Sequence, residues 1–287
     1  MEKENRLVID VGTQSLRASV INRKGETLAF SQQKYPVAYN SPASGFAEQD
    51  ADFYLDRLCL ATNDLKVRYP DILSSVLGRT RVPFRDTAVL LDKDKNPIRP
   101  CILWLDQRVE RLNGKNLKWY ERILFHVIGR TDTVVYNSER TGARWIKSHE
   151  KVNWAKRKYY VPIGGYFNYK VTGNLVCSTA DTIGHYPINF KTGKWYGKLH
   201  PKQSVFGIPF SALPPLVEPS SVIGKVTDEF SEKSSIPEGT PVFACGSDKS
   251  CETFGNGCRD KTTASISLGT ACSIDVVDQK YSEPERF

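Results

Sequence analysis

Three apolar runs follow one another at the start of the chain, and the glycine-bearing turns between them narrow the choice of fold. Leu7-Val8-Ile9-Asp10 ends at Gly12, Leu16 to Ile21 follows, and the turn Asn22-Arg23-Lys24-Gly25 leads into Glu26 to Phe30. Apolar runs broken by such turns predict an antiparallel meander. Asp50 is placed to N-cap a helix carrying Tyr54, Leu58 and Leu65. Thr87 to Leu91 predicts a buried strand, and Cys101 to Trp104 a second one ending at Asp106 and Arg108. From about 116 to 158 the apolar spacing is mostly helical, whereas 185–220, rich in Pro, Gly and Lys, predicts excursions over the surface. The last third predicts a strand over Pro241 to Ala244, a short helix after Asp248, and a strand pair, Thr262–Leu268 and Cys272–Val277, turning at Gly269-Thr270. The pattern is that of a mixed α/β domain.

Composition removes several classes. Of 287 residues, 40% are hydrophobic, 11% aromatic and 25% charged, enough for a sizeable core and unlike a disordered or collagenous chain. No apolar run reaches the roughly 18–20 residues a membrane helix needs, and Met1 to Arg6 lacks the apolar core of a secretory signal. Seven cysteines, with no Cys-x-x-Cys pair, predict reduced thiols and a soluble cytoplasmic protein with no membrane partner. The net charge of +8 is spread along the chain, with no cluster denser than Lys156-Arg157-Lys158. Nucleic-acid binders concentrate such charge on one face, so no nucleic-acid partner is expected.

Three acidic loops at strand ends carry the candidate chemistry. In Asp10-Val-Gly-Thr-Gln-Ser15, Gly12 lets the backbone approach a ligand, while Thr13 and Ser15 add hydroxyls to an array of backbone N–H groups suited to phosphate. A carboxylate there also suits Mg²⁺, which takes few protein oxygens, although Asp and Gly are equally the ordinary residues of a hairpin turn. In Gly246-Ser-Asp248-Lys-Ser, Asp248 opens a helix. Its carboxylate can accept a proton from an attacking hydroxyl, or simply cap the helix by accepting from Ser250 or Cys251 N–H. In Phe84-Arg-Asp-Thr87 and Trp104-Leu-Asp-Gln-Arg108, an Arg–Asp pair can grip vicinal hydroxyls against an indole wall. A surface ion pair and a core tryptophan would look the same.

Taken in order, these loops resemble the N-terminal half of an FGGY-family carbohydrate kinase, within the actin, hexokinase and heat-shock-chaperone ATPase superfamily. The resemblance runs from about Leu7 to Asp275. It rests on Ile9-Asp-Val-Gly-Thr-Gln-Ser-Leu-Arg17, Gly45-Phe-Ala-Glu-Gln-Asp50, Arg85-Asp-Thr-Ala-Val-Leu-Leu-Asp92, Pro100-Cys-Ile-Leu-Trp-Leu-Asp-Gln-Arg108, Tyr169-Lys-Val-Thr-Gly173, Gly246-Ser-Asp248 and Ser267-Leu-Gly-Thr270. The Asp-x-Gly-Thr loop is shared across the superfamily; the ordered set with Trp-x-Asp-x-Arg and Ser-Leu-Gly-Thr is far more specific.

The resemblance implies a ribonuclease-H-like, actin-like ATPase domain over 1–258, with a mixed sheet flanked by helices, and an incomplete second such domain over 259–287. It implies ATP-dependent phosphorylation of a sugar or polyol, with Mg²⁺ held by Asp10. Thr13, Gln14, Ser15 and Arg17 would cradle phosphate, and Gly269 and Thr270 would form the second phosphate loop. Asp248 would be the general base. Arg85, Asp86 and Trp104 would contact the substrate, with Asp106 and Arg108 bracing them.

Two departures qualify this. Family members run to about twice the superfamily domain size and this chain stops shortly after the second domain should begin, so it is expected to be a fragment or truncated product, inactive alone and missing its C-terminal domain. An open strand pair at its end leaves homodimerisation open. Second, Arg81-Val-Pro-Phe84 stands where many relatives carry small polar residues and glutamine. The alternative to a kinase is therefore a non-catalytic sugar-binding or regulatory module that keeps the fold.

Overall fold

The computed structural model describes residues 4–112, 117–268 and 272–282. The N-terminal meander forms as expected: β1 (Asn5–Val11), β2 (Ser15–Ile21) and β3 (Thr27–Lys34) pair antiparallel in chain order. Side chains alternate across a strand, so β1 sends Leu7, Ile9 and Val11 into the core. Asp10 is left on the opposite face, and the register sets Arg17 across from it on β2. Each fully buried aliphatic side chain stabilises by about 1.5–3 kcal/mol, so a one-residue slip of β1 would forfeit several kcal/mol.

After β4 (Glu48–Gln49), helix α1 (Ala51–Arg68) packs on β2 and β3, burying Tyr54, Leu58 and Leu65. Asp50 occupies the cap position in an extended conformation, but its side chain makes no capping bond. A short α2 (Pro70–Ser74) leads to β5 (Val76–Pro83), which pairs with β1 in parallel. Strand β6 (Ala88–Leu91) is buried as predicted, whereas β7 covers only Cys101–Ile102. The chain turns there because Leu103 N–H bonds to Ala47 carbonyl and Trp104 N–H to Thr87 Oγ1.

The helical stretch resolves into α3 (Trp119–Val127), α4 (Thr131–Glu139), α5 (Gly142–His149) and α6 (Lys151–Lys156). Strand β8 (Tyr159–Pro162) then completes a second sheet of order β4-β7-β6-β8, and α7 (Ile163–Thr172) packs against β5 and β8. The following region holds only short pieces: β9 (Cys177–Ser178), β10 (Ile188–Asn189), β11 (Lys194–Trp195), α8 (Pro201–Phe206), a 3₁₀ turn (Phe210–Ala212) and β12 (Leu216–Val217). It is not a mere surface excursion, since Tyr186, Ile208 and Ala212 join Leu90, Ile146 and Tyr160 in a second core. Pro and Gly set where the chain turns, but the apolar residues between them decide what is buried.

Strands β13 (Val222–Lys225) and β14 (Pro241–Phe243), with α9 (Asp228–Ser234) between them, complete the central sheet in the order β13-β14-β5-β1-β2-β3. Both β14 and β1 run parallel to β5. This is the mixed sheet flanked by helices that the resemblance implied. Helix α10 (Asp248–Gly255) follows, then the pair β15 (Ala264–Leu268) and β16 (Cys272–Val276). Ser265 and Ser267 of that pair face inward, while Ile266, Leu268 and Ile274 are exposed.

Candidate active site

Because β14, β5 and β1 are parallel neighbours, their C-terminal ends reach one edge of the sheet, where open α/β sheets place ligands. The loops after them carry the three acidic motifs. A cleft of about 510 Å³ opens at this edge. The first loop contributes Asp10, Gly12, Thr13 and Arg17, and β5 with its following residue contributes Val82 and Phe84. Trp104 closes one wall, α10 supplies Asp248, Lys249, Cys251 and Glu252, and Ser267 approaches from β15.

The two uses left open for Asp248 are separated by its neighbour. Ser247, extended and fully buried, is the N-cap of α10: its Oγ accepts from Ser250 N–H (3.4 Å) and bonds Ser250 Oγ (3.0 Å). Asp248 is the first helical residue, with Oδ1 accepting from Lys249 N–H (2.8 Å) and Arg85 Nε lying 3.8 Å away. Its side chain stays 39% exposed, on the cleft. The helix is capped without it.

In the first loop, Gly12 N–H bonds to Ser15 carbonyl (3.0 Å) and closes the turn. Arg17 Nη1 donates to Asp10 Oδ2 (2.8 Å), so one carboxylate oxygen is engaged by its cross-strand neighbour. Thr13 Oγ1 accepts from Trp104 Nε1 (3.1 Å), tying the phosphate-type loop to the indole wall. Gln14 is exposed and outside the cleft lining. Ser15 is buried, its hydroxyl accepting from Gln32 Nε2 (3.1 Å), and is not among the residues lining the cleft. Gly269 and Thr270 lie outside the described residues.

Behind Trp104 lies a smaller cavity of about 160 Å³ lined by Asp86, Arg108, Arg140, Tyr160 and His185. Asp86 faces this cavity, not the larger cleft. It has φ +52°, and its carboxylate accepts from His185 N–H (2.8 Å) and contacts His185 Nδ1 (2.7 Å). Burial alone would lower the imidazole, but Asp86's hydrogen bond and charge outweigh it and hold His185 above its ordinary value. The fit is close at Gly184, where φ is +124° and an added Cβ would stand 2.3 Å from Asp86 Oδ1. Asp106 accepts from Ala47 N–H (2.6 Å) and from Arg108 Nε (2.7 Å), so this pair braces the wall.

The Arg81-to-Phe84 segment is split by strand alternation. Val82 faces the cleft, and Phe84 lines it while packing edge-on against Tyr54. Arg81 points the other way, buried, donating to Gly164 carbonyl (2.8 Å) and Asn168 Oδ1 (3.1 Å), with Asp181 Oδ2 at 3.7 Å. Burial pushes the Asp181 carboxyl up to about 7 even against that guanidinium. Sequence reasoning missed His185, Asp181, Lys249 and Glu252. The last two follow from helical spacing after Asp248; the first two lie far along the chain from their partners. Lys249 Nζ donates to Glu252 Oε2 (2.9 Å) and also bonds Ser267 Oγ, tying α10 to β15.

The sequence that builds this arrangement matches a known family. Residues 6–255 match the N-terminal domain of the FGGY family of carbohydrate kinases. The chain belongs to that family. Among curated relatives, the xylulose kinase of Staphylococcus xylosus is 26% identical over 92% of this chain and 53% of its own length. The glycerol kinase of Nitratidesulfovibrio vulgaris is 26% identical over 93% of this chain and 53% of its own. The crystal structure of xylulose kinase from Rhodospirillum rubrum shares the fold, with TM-score 0.81 at 21% identity, over 98% of this chain and 57% of that one. This FGGY-family chain thus spans about half the length of the curated relatives it matches.

Among the described residues no helix is long and apolar enough to cross a membrane. Nor do those residues include a group of three or more His, Cys, Asp or Glu able to hold a metal. Mg²⁺ needs no such cage: it is commonly held by one or two carboxylates with waters and substrate phosphates. A single Asp10 carboxylate on the cleft, with one oxygen engaged by Arg17, fits that donor set.

Proposed function

We propose that this chain is the substrate-binding, base-bearing part of an ATP-dependent kinase for a sugar or polyol hydroxyl. The observation that carries the reading is the position of Asp248: its carboxylate faces the same cleft as Asp10, while Ser247 serves the helix. A hydroxyl in the cleft would give its proton to Asp248 as its oxygen attacks the γ-phosphorus and ADP leaves. Arg85, 3.8 Å from Asp248, would orient both carboxylate and sugar. Trp104 would offer an apolar wall to the sugar's C–H face, with Asp86 behind it. Asp10 would hold Mg²⁺, which supplies charge neutralisation on the transferring phosphate. Gly12, Thr13 and Arg17 would meet phosphate oxygens, and 259–287 would begin the nucleotide-binding domain.

Calorimetric titration with xylulose, glycerol and related sugars and polyols tests the wall in this chain alone; Arg85→Ala should abolish the heat of the sugar that binds. Phosphotransfer is assayed in a chain extended to the length of its relatives, where Asp248→Asn should lower kcat by about 10²–10⁴-fold. Turnover within about tenfold of the unmutated protein removes Asp248 as base.

A further inference from the structure

The residues that flank Asp248 include two thiols in contact. Cys245, just after β14, and Cys251, in the first turn of α10, place their sulfurs 3.5 Å apart, and both side chains are partly exposed. Cys251 also lines the cleft. The two sulfurs therefore close the Gly246-Ser-Asp248 segment from both ends. Nothing in phosphoryl transfer calls for a thiol pair there.

The pair is chemically asymmetric. The contact with Cys251, together with Thr80 hydroxyl, Gly246 N–H and the nearby Arg81 guanidinium, holds Cys245 below the usual thiol range. The same contact, with burial, holds Cys251 above it. These neighbours favour Cys245 as the attacking thiolate and leave Cys251, on the cleft side, as the resolving thiol.

We propose that Cys245 and Cys251 form an oxidisable dithiol that a small disulfide of the glutathione type converts to an intrachain disulfide around Asp248. Cys245 thiolate attacks one sulfur of oxidised glutathione; the glutathione S–S bond breaks and one glutathione thiolate leaves. Cys251 then attacks Cys245 Sγ, passing its proton to the second glutathione as that thiolate departs. Two electrons move from the protein pair to the glutathione pair, and two reduced glutathiones result. Closing the gap to the roughly 2 Å of an S–S bond draws the start of α10 toward the end of β14. Asp248 sits on that turn, so the disulfide displaces it. Only the effect on turnover rests on the kinase reading.

The test uses the reduced full chain, mixed with oxidised glutathione, acid-quenched over time and mapped by peptide mass spectrometry. Exposed Cys272 reports simple accessibility. A Cys245–Cys251 link with loss of two hydrogens, formed at least about tenfold faster than any Cys272 adduct, is the expected result. Cys251→Ser should trap one glutathione on Cys245, and Cys245→Ser should leave Cys251 free. The proposal is overturned if Cys272 is modified first while both cysteines of the pair stay reduced in the unmutated chain. It is also overturned if folded Cys251→Ser carries no adduct on Cys245. In the extended protein, loss of phosphotransfer on oxidation and recovery with reductant supports the link to turnover; unchanged activity with the disulfide in place refutes that link. A disulfide that forms in a protein with no kinase activity when reduced sinks only the kinase reading.

Discussion

Ser247 and Asp248 are adjacent residues that can each cap a helix, and their substitution should separate stability from catalysis. Ser247→Ala removes an oxygen that is fully buried and bonded to Ser250 N–H and Oγ. Loss of a cap with such partners costs about 1–2 kcal/mol, which is a fall in Tm of roughly 2–8 °C for a domain of this size. Asp248→Asn is milder. Asparagine keeps an oxygen for the Lys249 N–H, and the lost partner charge on Arg85 is 3.8 Å away with both side chains about two-fifths exposed. Solvent screening limits that pair, and the negative charge at the helix start adds about 0.3–1 kcal/mol, so the total stays near or below 1 kcal/mol. Thermal unfolding of both variants should therefore rank Ser247→Ala below Asp248→Asn. Phosphotransfer in the extended protein should rank them the other way, with Asp248→Asn slower by about 10²–10⁴-fold. A Ser247→Ala protein that melts with the unmutated chain, beside an Asp248→Asn protein that loses 1–2 kcal/mol, would make Asp248 the cap.

Other outcomes follow from the buried polar groups. Arg79 is 1% exposed, none of its guanidinium nitrogens has a hydrogen-bond partner among the described residues, and burial pushes it down to about 9. Arg79→Met should raise the urea midpoint by the equivalent of about 1–4 kcal/mol, and a lower midpoint rejects the idea. Asp181 keeps its proton in the folded chain up to about 7, against 3.8 as the ordinary value. The folded state binds the extra proton, so stability should fall as pH rises through that window, and Asp181→Asn should flatten the profile measured between roughly pH 5 and 8. Gly184→Ala forces a side chain into φ +124° and against Asp86. It should cost about 1–3 kcal/mol and lower the His185 imidazole titration seen by NMR; an unchanged titration would show that Asp86 had not moved.

Much of this architecture was legible in the chain because it is written locally. The alternation in β1 and β2, and the apolar run of β6 before its turn, depend on neighbours in sequence, so the strands fell where expected. The ordered acidic loops were legible for the same reason: each follows a strand. What was hidden depends on distance. Asp86 and His185 meet across almost a hundred residues, and Gly184 has meaning only against Asp86. Arg79 and Arg81 look like surface residues by type, yet the period of β5 turns both inward. The region from 185 to 220 carries turn signals throughout, and nothing local says that Tyr186 and Ile208 complete a core with residues of β6, α5 and β8. Choosing between Ser247 and Asp248 as the cap needed the φ and ψ of the turn itself.

Strand β5 separates β14 from β1, and all three are parallel. Neighbouring strands lie about 4.8 Å apart, so the axes that launch the Asp248 and Asp10 loops are held roughly 10 Å from each other. That span is a ruler marked in backbone hydrogen bonds, indifferent to which side chains decorate it. The wall behind Trp104 can be recut for a different sugar, and the gauge between the proton acceptor and the phosphate loop stays the same.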